Sequence, residues 1–291
     1  MNITQVITRY AEKLIPAYQN KQTAFTVSWW LVQKATGKTR TELLLQKEYN
    51  PELDKTIQNW IDAIVQEHMP VQYILGSVPF GDLDILVKPP ILIPRPETEQ
   101  WTQKLISTVL PFDYAQGERR INILDLCSGT GCIALALAQA FPQAQVTASD
   151  INGQACALIR ENILHNQIKN CTVLQSDLFD NLQADKKYSL ITANPPYISL
   201  EEWKDLEPCV KIWESPQALI AQQEGLEIIE KIIYQAPDYL GEKIDDVAQL
   251  WIEIGAFQAE KVYALYQKAG YKEITILQDM YGKSRVVTGS L

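Results

Sequence analysis

The sequence has only two histidines, His68 and His165, and its five cysteines (127, 132, 156, 171 and 209) form no CxxC pair. Histidine and paired cysteine carry most zinc sites, so no metal is expected. The cysteines read instead as small buried hydrophobes in a reducing compartment. No apolar run approaches the ~20 residues that cross a bilayer. The opening MNITQVITRYAEKL lacks a basic-then-apolar signal pattern. A cytoplasmic chain with no membrane contact is therefore expected. Basic charge is also short: 26 Lys and Arg against 35 Asp and Glu give a net −9. That excludes a protein that grips nucleic acid along its whole surface, because such binders neutralise phosphates with clustered cations. Neither internal repeats nor long low-complexity segments occur.

What is present is 291 residues, 46% hydrophobic and 21% charged, an ordinary globular composition. A chain of this length buries about 75% of its unfolded surface without disulfides or metals. It predicts two domains or one large one. Residues 1–70 read as helices. Ile57, Trp60, Ile61, Ile64 and Val65 recur at helical spacing behind Asn50-Pro51-Glu52, a cap followed by proline at the first helical position. Thr39 and Glu42 have capping-box spacing, and Gly37 is placed to end the helix carrying Trp29, Trp30 and Val32. Pro70 closes this region. Residues 1–75 hold eight basic and seven acidic side chains, so the −9 total leaves −10 on the remainder. The two parts are expected to do different jobs. Residues 71–95 read as a β-hairpin linker, with Tyr73–Leu75 and Leu83–Val87 flanking a turn at Gly81-Asp82. A helix is expected from Glu97, after Pro94-Arg95-Pro96, and a loop at 111–120.

From 121 the pattern alternates. Strands are expected at 121–126, 146–150, 173–175, 189–192 and 250–254, with helices at 133–140, 153–166, 224–236 and 257–269. A closing strand pair follows at 273–278 and 285–288. This is an α/β fold: a mostly parallel sheet covered by helices on both faces, with an antiparallel hairpin at one edge. Ligands of such sheets sit at the carboxyl ends of the strands.

Four motifs fall at those ends. Asp125-Leu126-Cys127-Ser128-Gly129-Thr130-Gly131-Cys132 lies where the first strand turns into its helix. Glycines there let a ligand approach the backbone and the helix N–H groups, although a merely tight turn is the plain alternative. No Gly-Lys-Ser/Thr follows, which disfavours a phosphate-binding P-loop. Asp150 ends the second strand, where a carboxylate accepts from both ribose hydroxyls or else caps the next helix. Ser176-Asp177-Leu178 offers a carboxylate and an apolar face to an adenine ring, or is a solvated turn. Asn194-Pro195-Pro196-Tyr197 follows the strand ending in Ala193. Its prolines lack N–H groups and stiffen the loop. The Asn194 side-chain oxygen and the Pro195 carbonyl are thus fixed acceptors for a planar NH2 group, with Tyr197 supplying an aromatic face.

The order of strand, glycine turn, two aspartates and Asn-Pro-Pro-Tyr resembles class I S-adenosylmethionine-dependent methyltransferases that modify planar amino nitrogens. Pro94-Arg95-Pro96-Glu97-Thr98-Glu99, Tyr73-Ile74-Leu75-Gly76, Phe80, Leu92-Ile93 and the helical N-terminal part narrow this. Together they resemble the HemK/PrmC family of N5-glutamine methyltransferases of peptide chain release factors. The resemblance implies a Rossmann-like, seven-stranded catalytic domain at 96–291 and a substrate-docking helical domain at 1–70. It implies S-adenosylmethionine as methyl donor, bound by Cys127, Ser128, Gly129, Thr130 and Gly131 around the methionine part. Asp150 would hold the ribose, Asp177 and Leu178 would border the adenine, and Asn194 would touch both donor and substrate. Asn194, Pro195, Pro196 and Tyr197 would hold the glutamine of a Gly-Gly-Gln loop, with Asn194, Pro195 and Tyr197 catalytic. The implied partners are class 1 release factors met by a monomer, without direct nucleic-acid binding. An amino-methyltransferase of DNA or RNA bases is the alternative that shares Asn-Pro-Pro-Tyr.

Three departures from the family pattern stand out. Cys127 occupies the place of a glycine, where a positive φ would strain it. Trp213-Glu214-Ser215-Pro216 carries an extra Ser215 in an aromatic-Glu-Pro run. Leu178 replaces an aromatic found in some members. Glu97 and Glu99 read as helix-start carboxylates favourable to the macrodipole, or as catalytic groups.

Overall fold

The computed structural model describes residues 2–45, 49–109, 121–244 and 246–291. The loop expected at 111–120 lies outside them. The chain divides into two compact units, residues 1–77 with 207–213, and residues 78–206 with 214–291.

The first unit is helical: α1 (Ile3–Tyr18), α2 (Lys21–Thr36), α3 (Arg40–Leu45), α4 (Asp54–Gln66) and α5 (Val71–Leu75). In α1, Ile3, Val6, Ile7, Tyr10, Ala11 and Leu14 are buried, a stripe at three- and four-residue spacing. It meets Ile57, Ile61 and Ile64 of α4 and Val27, Leu31 and Val32 of α2 in one core. Each such aliphatic side chain contributes ~1.5–3 kcal/mol by leaving water. The Thr39–Glu42 box, the Asn50 cap and the Gly37 stop form as their spacing predicts. Tyr73–Leu75, expected as strand, is helical instead. Pro70 starts a five-residue helix and Gly76, at φ +85°, ends it.

The expected hairpin therefore begins later, as β1 (Ser77–Phe80) and β2 (Leu83–Leu86) around Gly81-Asp82. After it come α6 (Pro96–Val109), β3 (Asn122–Leu126), α7 (Cys132–Ala140), β4 (Gln145–Asp150), α8 (Gly153–His165), β5 (Cys171–Gln175) and β6 (Leu190–Ala193). The chain continues through α9 (Leu200–Asp205), α10 (Pro208–Trp213), the single turn α11 (Gln222–Gly225) and α12 (Glu227–Gln235). It closes with β7 (Leu250–Glu253), α13 (Ala259–Lys268), β8 (Lys272–Gln278) and β9 (Ser284–Ser290). Among the described residues no helix is long and apolar enough to cross a membrane.

The seven strands pair in the order β5-β4-β3-β6-β7-β9-β8. The first five are parallel, and β9 runs antiparallel to both neighbours. The chain leaves β3 for β4 on one side and later returns to β6 on the other. That makes the carboxyl end of β3 the switch point where connections diverge and where ligands of such sheets bind.

Strand alternation sorts residues between two cores. Leu124 and Leu126 of β3, Ile191 and Ala193 of β6 and Leu250 and Ile252 of β7 face α12 and α13. Ile123, Leu190 and Trp251 face α6 and α7, where Trp101 stacks on Trp251 at 6.4 Å. By the same parity Asp125, Thr192 and Glu253 lie on the α6 side, and so does Asn194, one residue past β6.

Candidate active site

The β3–α7 turn is held from three directions. Ser128 donates its hydroxyl to Asp125 Oδ2 (2.7 Å) and accepts from the Ser149 N–H (3.1 Å). The Gly129 N–H donates to Asp150 Oδ2 (2.8 Å), and the Thr130 carbonyl accepts from buried Asn162 (3.0 Å). Gly131 sits at φ +83°, where a Cβ would come within 2.9 Å of Leu135 and 3.0 Å of Ile159, so glycine is required there. At Gly129, φ +56°, a Cβ would meet nothing within 4 Å, leaving the turn open on its outer side. Cys127 has φ +54°, the strained conformation expected of a side chain in a glycine's place. Leu178 is also left-handed, at φ +44°, and buried.

Asp150 is half-buried and does not cap the following helix; Asn152 does, accepting from the Gln154 N–H. The other Asp150 oxygen accepts from the Asn152 N–H (2.8 Å). Burial pushes its carboxyl up, and the N–H groups of Asn152, Gly129 and Ile151 pull it back. Asp125 is fully buried beneath the turn, and burial pushes its carboxyl up to about 7 against the hydroxyls of Ser128 and Thr192. Asp177 is exposed at the end of β5, in a turn closed by the Asp180 N–H on its carbonyl (3.0 Å). The Cys127 thiol is pushed well up, first by burial and then by the charges of Asp150, Asp125 and Asp177. Asp125, bonded to Ser128, and Asp150, bonded to the Gly129 N–H, thus place two carboxylates at the turn, a setting that suits a cation with hydroxyls to donate. The open Gly129 turn and these acceptors fit S-adenosylmethionine, which carries a sulfonium, a ribose and an adenine.

The second cluster adjoins the first, because Leu126 pairs with Ala193 across the switch point. Thr192 donates to Asp125 Oδ1 (2.8 Å), tying β6 to the turn. Asn194 is half-buried and donates from Nδ2 to Thr98 Oγ1 at 3.3 Å. Among the described residues, no hydrogen bond is made to Asn194 Oδ1 or to the Pro195 carbonyl. Both acceptors expected from the motif are therefore unengaged, Asn194 half-buried and Pro195 buried. Tyr197 is half-buried, with its hydroxyl 3.4 Å from Glu253 Oε1 and its carbonyl accepting from Gln258 Nε2 (2.9 Å).

One site residue, Glu253, was not foreseen from the sequence. Glu253, 2% exposed, accepts from Thr98 and from the Trp101 indole, each at 2.7 Å. Its carboxyl is raised by burial. One signal pointed to it: a carboxylate closing the apolar run Leu250-Trp251-Ile252 at a strand's carboxyl end. Glu214, its side chain 1% exposed, takes Arg95 on both oxygens, the longer contact 2.7 Å. Its inserted neighbour Ser215 donates its N–H to the Pro90 carbonyl (2.8 Å). Glu97 and Glu99 sit in the first turn of α6, Glu97 against Arg285 (3.4 Å) and Glu99 accepting from the Gly81 N–H (2.8 Å). The helix expected from 224 begins only at Glu227. Gln223, Glu224 and Gly225 are left-handed at φ +55°, +57° and +82°. A Cβ on Gly225 would lie 2.0 Å from the Tyr197 carbonyl oxygen, so this turn presses on the Asn-Pro-Pro-Tyr backbone.

Comparison with known proteins agrees with this architecture. Residues 5–76 match the family model of the PrmC N-terminal domain, and residues 99–206 match the Methyltransferase small domain. The chain is 33% identical over 288 residues to a release factor glutamine methyltransferase of Streptococcus pneumoniae, covering 99% of this chain and 98% of that one. It is 34% identical to the mitochondrial MRF1 N(5)-glutamine methyltransferase MTQ1 of Saccharomyces cerevisiae, over 81% of this chain and 74% of that one. A methyltransferase structure from Pyrococcus furiosus shares the fold with a TM-score of 0.51 at 14% identity, over 82% of this chain and all of that one. On these grounds the chain belongs to the release factor glutamine methyltransferase family, enzymes built on the S-adenosylmethionine-dependent methyltransferase fold.

Proposed function

We propose that this enzyme methylates the side-chain amide nitrogen of the glutamine in the Gly-Gly-Gln loop of class 1 release factors, acting in the cytoplasm on translation termination. The carrying observation is the pair of unengaged acceptors, Asn194 Oδ1 and the Pro195 carbonyl, on a proline-stiffened loop beside the Gly129 turn. Two acceptors at fixed spacing select an NH2 group over a hydroxyl or a tertiary nitrogen, and Tyr197 covers one face of the planar amide. We assign Cys127 to Gly131, Asp150, Asp177 and Leu178 to the methyl donor, as the anchoring of Asp150 at the Gly129 turn and the open side of that turn support. We assign docking of the release factor to the helical N-terminal unit, which holds none of the transfer motifs.

S-adenosylmethionine, when bound, supplies an electrophilic methyl on sulfur. The residues of this chain contribute three things. A carboxamide nitrogen is a poor nucleophile because its lone pair is delocalised into the carbonyl. Holding it in line at near-attack distance removes the entropic part of that handicap. The N–H bonds become more acidic as positive charge grows on nitrogen, so Asn194 Oδ1 and the Pro195 carbonyl bind the transition state more strongly than the ground state. The prolines keep these acceptors from turning inward before substrate arrives. The methylated amide then loses its extra proton readily, and no strong base is required.

The test is mass spectrometry of purified release factor after incubation with enzyme and methyl donor, with DNA and ribosomal RNA as parallel acceptors. We expect the mass of one methylene to be added to the loop glutamine, and Asn194→Ala to turn over about 10²–10³-fold more slowly. Transfer to nucleic acid instead of the release factor, or an Asn194→Ala enzyme of wild-type speed, overturns the reading.

A further inference from the structure

The Pro94–Glu99 motif marks the family, yet the transfer chemistry above uses none of its side chains. In the structure its Thr98 lies against Asn194. A side-chain amide is nearly symmetric in shape, so something must decide whether Asn194 turns its oxygen or its NH2 toward the cleft. Only the oxygen can accept from a substrate NH2 group.

We infer that Thr98 and Glu253 are positioning residues that set the amide orientation of Asn194. The inference rests on the proposed function, because the orientation matters only for a substrate that donates N–H bonds. Thr98 is 2% exposed and has one hydroxyl proton, which it donates to Glu253 Oε2 at 2.7 Å. The Trp101 indole N–H can only donate, and it donates to the same oxygen at 2.7 Å. Glu253 therefore commits the Thr98 proton. What Thr98 has left for Asn194 is an oxygen lone pair, and Asn194 Nδ2 takes it at 3.3 Å. The flipped amide would set two acceptors against each other in a buried place, losing one bond and leaving one group unsatisfied. Oδ1 is thereby directed away from Thr98 and into the cleft.

The backbone makes this relay possible. The register of β6 on β7 ends with Ala193 beside Ile252, so one step further places Asn194 beside Glu253 on the α6 face of the sheet. Thr98 and Trp101 are three apart on α6, which brings both to that face of the helix. The Tyr197 hydroxyl lies 3.4 Å from the other Glu253 oxygen, so one carboxylate addresses both ends of the Asn-Pro-Pro-Tyr loop.

The experiment compares Thr98→Val, which removes the hydroxyl at nearly constant shape, with Thr98→Ser, which keeps it. In steady-state methylation of release factor we expect kcat of Thr98→Val to fall about tenfold, the equilibrium effect of one net hydrogen bond. KM for donor and for release factor should stay within about twofold, and Thr98→Ser should recover kcat to within about threefold, since the ground-state contacts remain. A merely structural role for Thr98 would leave kcat alone while lowering the melting temperature, or would leave Thr98→Ser as impaired as Thr98→Val. Either result overturns the inference. Should Thr98→Val fail to fold, Thr98→Ala against Thr98→Ser makes the same comparison. A second readout needs no turnover: the ¹⁵N NMR signal of the Asn194 side-chain amide should move in Thr98→Val and hold in Thr98→Ser. An unmoved signal refutes the relay even if the wild type proves inactive on release factors, an outcome that would instead refute the proposed substrate.

Discussion

Asp150 is anchored before any ligand arrives. Backbone N–H groups of Gly129 and Asn152 each hold one of its oxygens, which aims the remaining lone pairs outward from the end of β4. A carboxylate so fixed loses little freedom when it accepts from ribose hydroxyls. We expect Asp150→Ala to weaken donor binding by ~1.5–3 kcal/mol, the range for a hydrogen bond to a charged group. Titration calorimetry measures this directly, and unchanged affinity would remove the ribose assignment. At this scale the sequence was readable where a residue's neighbours are its own chain neighbours. The left-handed backbone of Cys127 followed from its place in a glycine turn. It was unreadable where the partner is remote: Arg95 meets Glu214 119 positions away, and Thr98 meets Glu253 155 away. Only the folded sheet brings such pairs together, so Glu253 read only as a member of the strand expected at 250–254.

Asp125 shows what three strands do jointly. It sits on β3, is bonded to Thr192 of β6, and through Ser128 is linked to Ser149 of β4. Burial raises its carboxyl from 3.8 to about 7 in the folded protein. Between those values the folded state binds more protons than the unfolded one, so this group's contribution to stability is full below 3.8 and is lost as pH rises through about 7. The loss is on the order of a few kcal/mol, at 1.36 kcal/mol per pKa unit. Asp125→Asn cannot ionise and should flatten that dependence. We therefore expect urea unfolding to find the wild type losing stability relative to Asp125→Asn between pH 5 and pH 8. A constant difference would show that Asp125 titrates as an ordinary carboxylate, and an opposite one that folding lowers rather than raises its carboxyl. Elements were legible where periodicity runs for several residues, as in β3 to β7 and in α7, α8 and α13. They were misread where a single residue's conformation decides. Pro70 and Gly76 enclose one short helix that alternation alone takes for a strand. Gln223 and Glu224 adopt left-handed backbone against their own propensity, because the turn is packed on Tyr197.

At the scale of the whole chain, the helical core of α1, α2 and α4 contains no residue of the two cores that flank the sheet. Every group assigned to the methyl donor lies in the unit of residues 78–206 and 214–291. A ligand stabilises what it binds by RT ln(1 + [L]/Kd), about 2.7 kcal/mol at a hundredfold excess over Kd. For a domain of roughly 200 residues, each kcal/mol raises Tm by about 2–4 °C. Differential scanning calorimetry of the full chain should therefore resolve two transitions. Saturating S-adenosylmethionine should raise the one belonging to the sheet-containing unit by about 5–10 °C and leave the other in place, since binding energy acts only on the cooperative unit that holds the ligand. The Asp150→Ala protein supplies the control, the shift of that same transition shrinking in step with its lost affinity. Equal movement of both transitions, or a shift confined to the helical unit, would place the donor site elsewhere than at the carboxyl ends of β3 to β6.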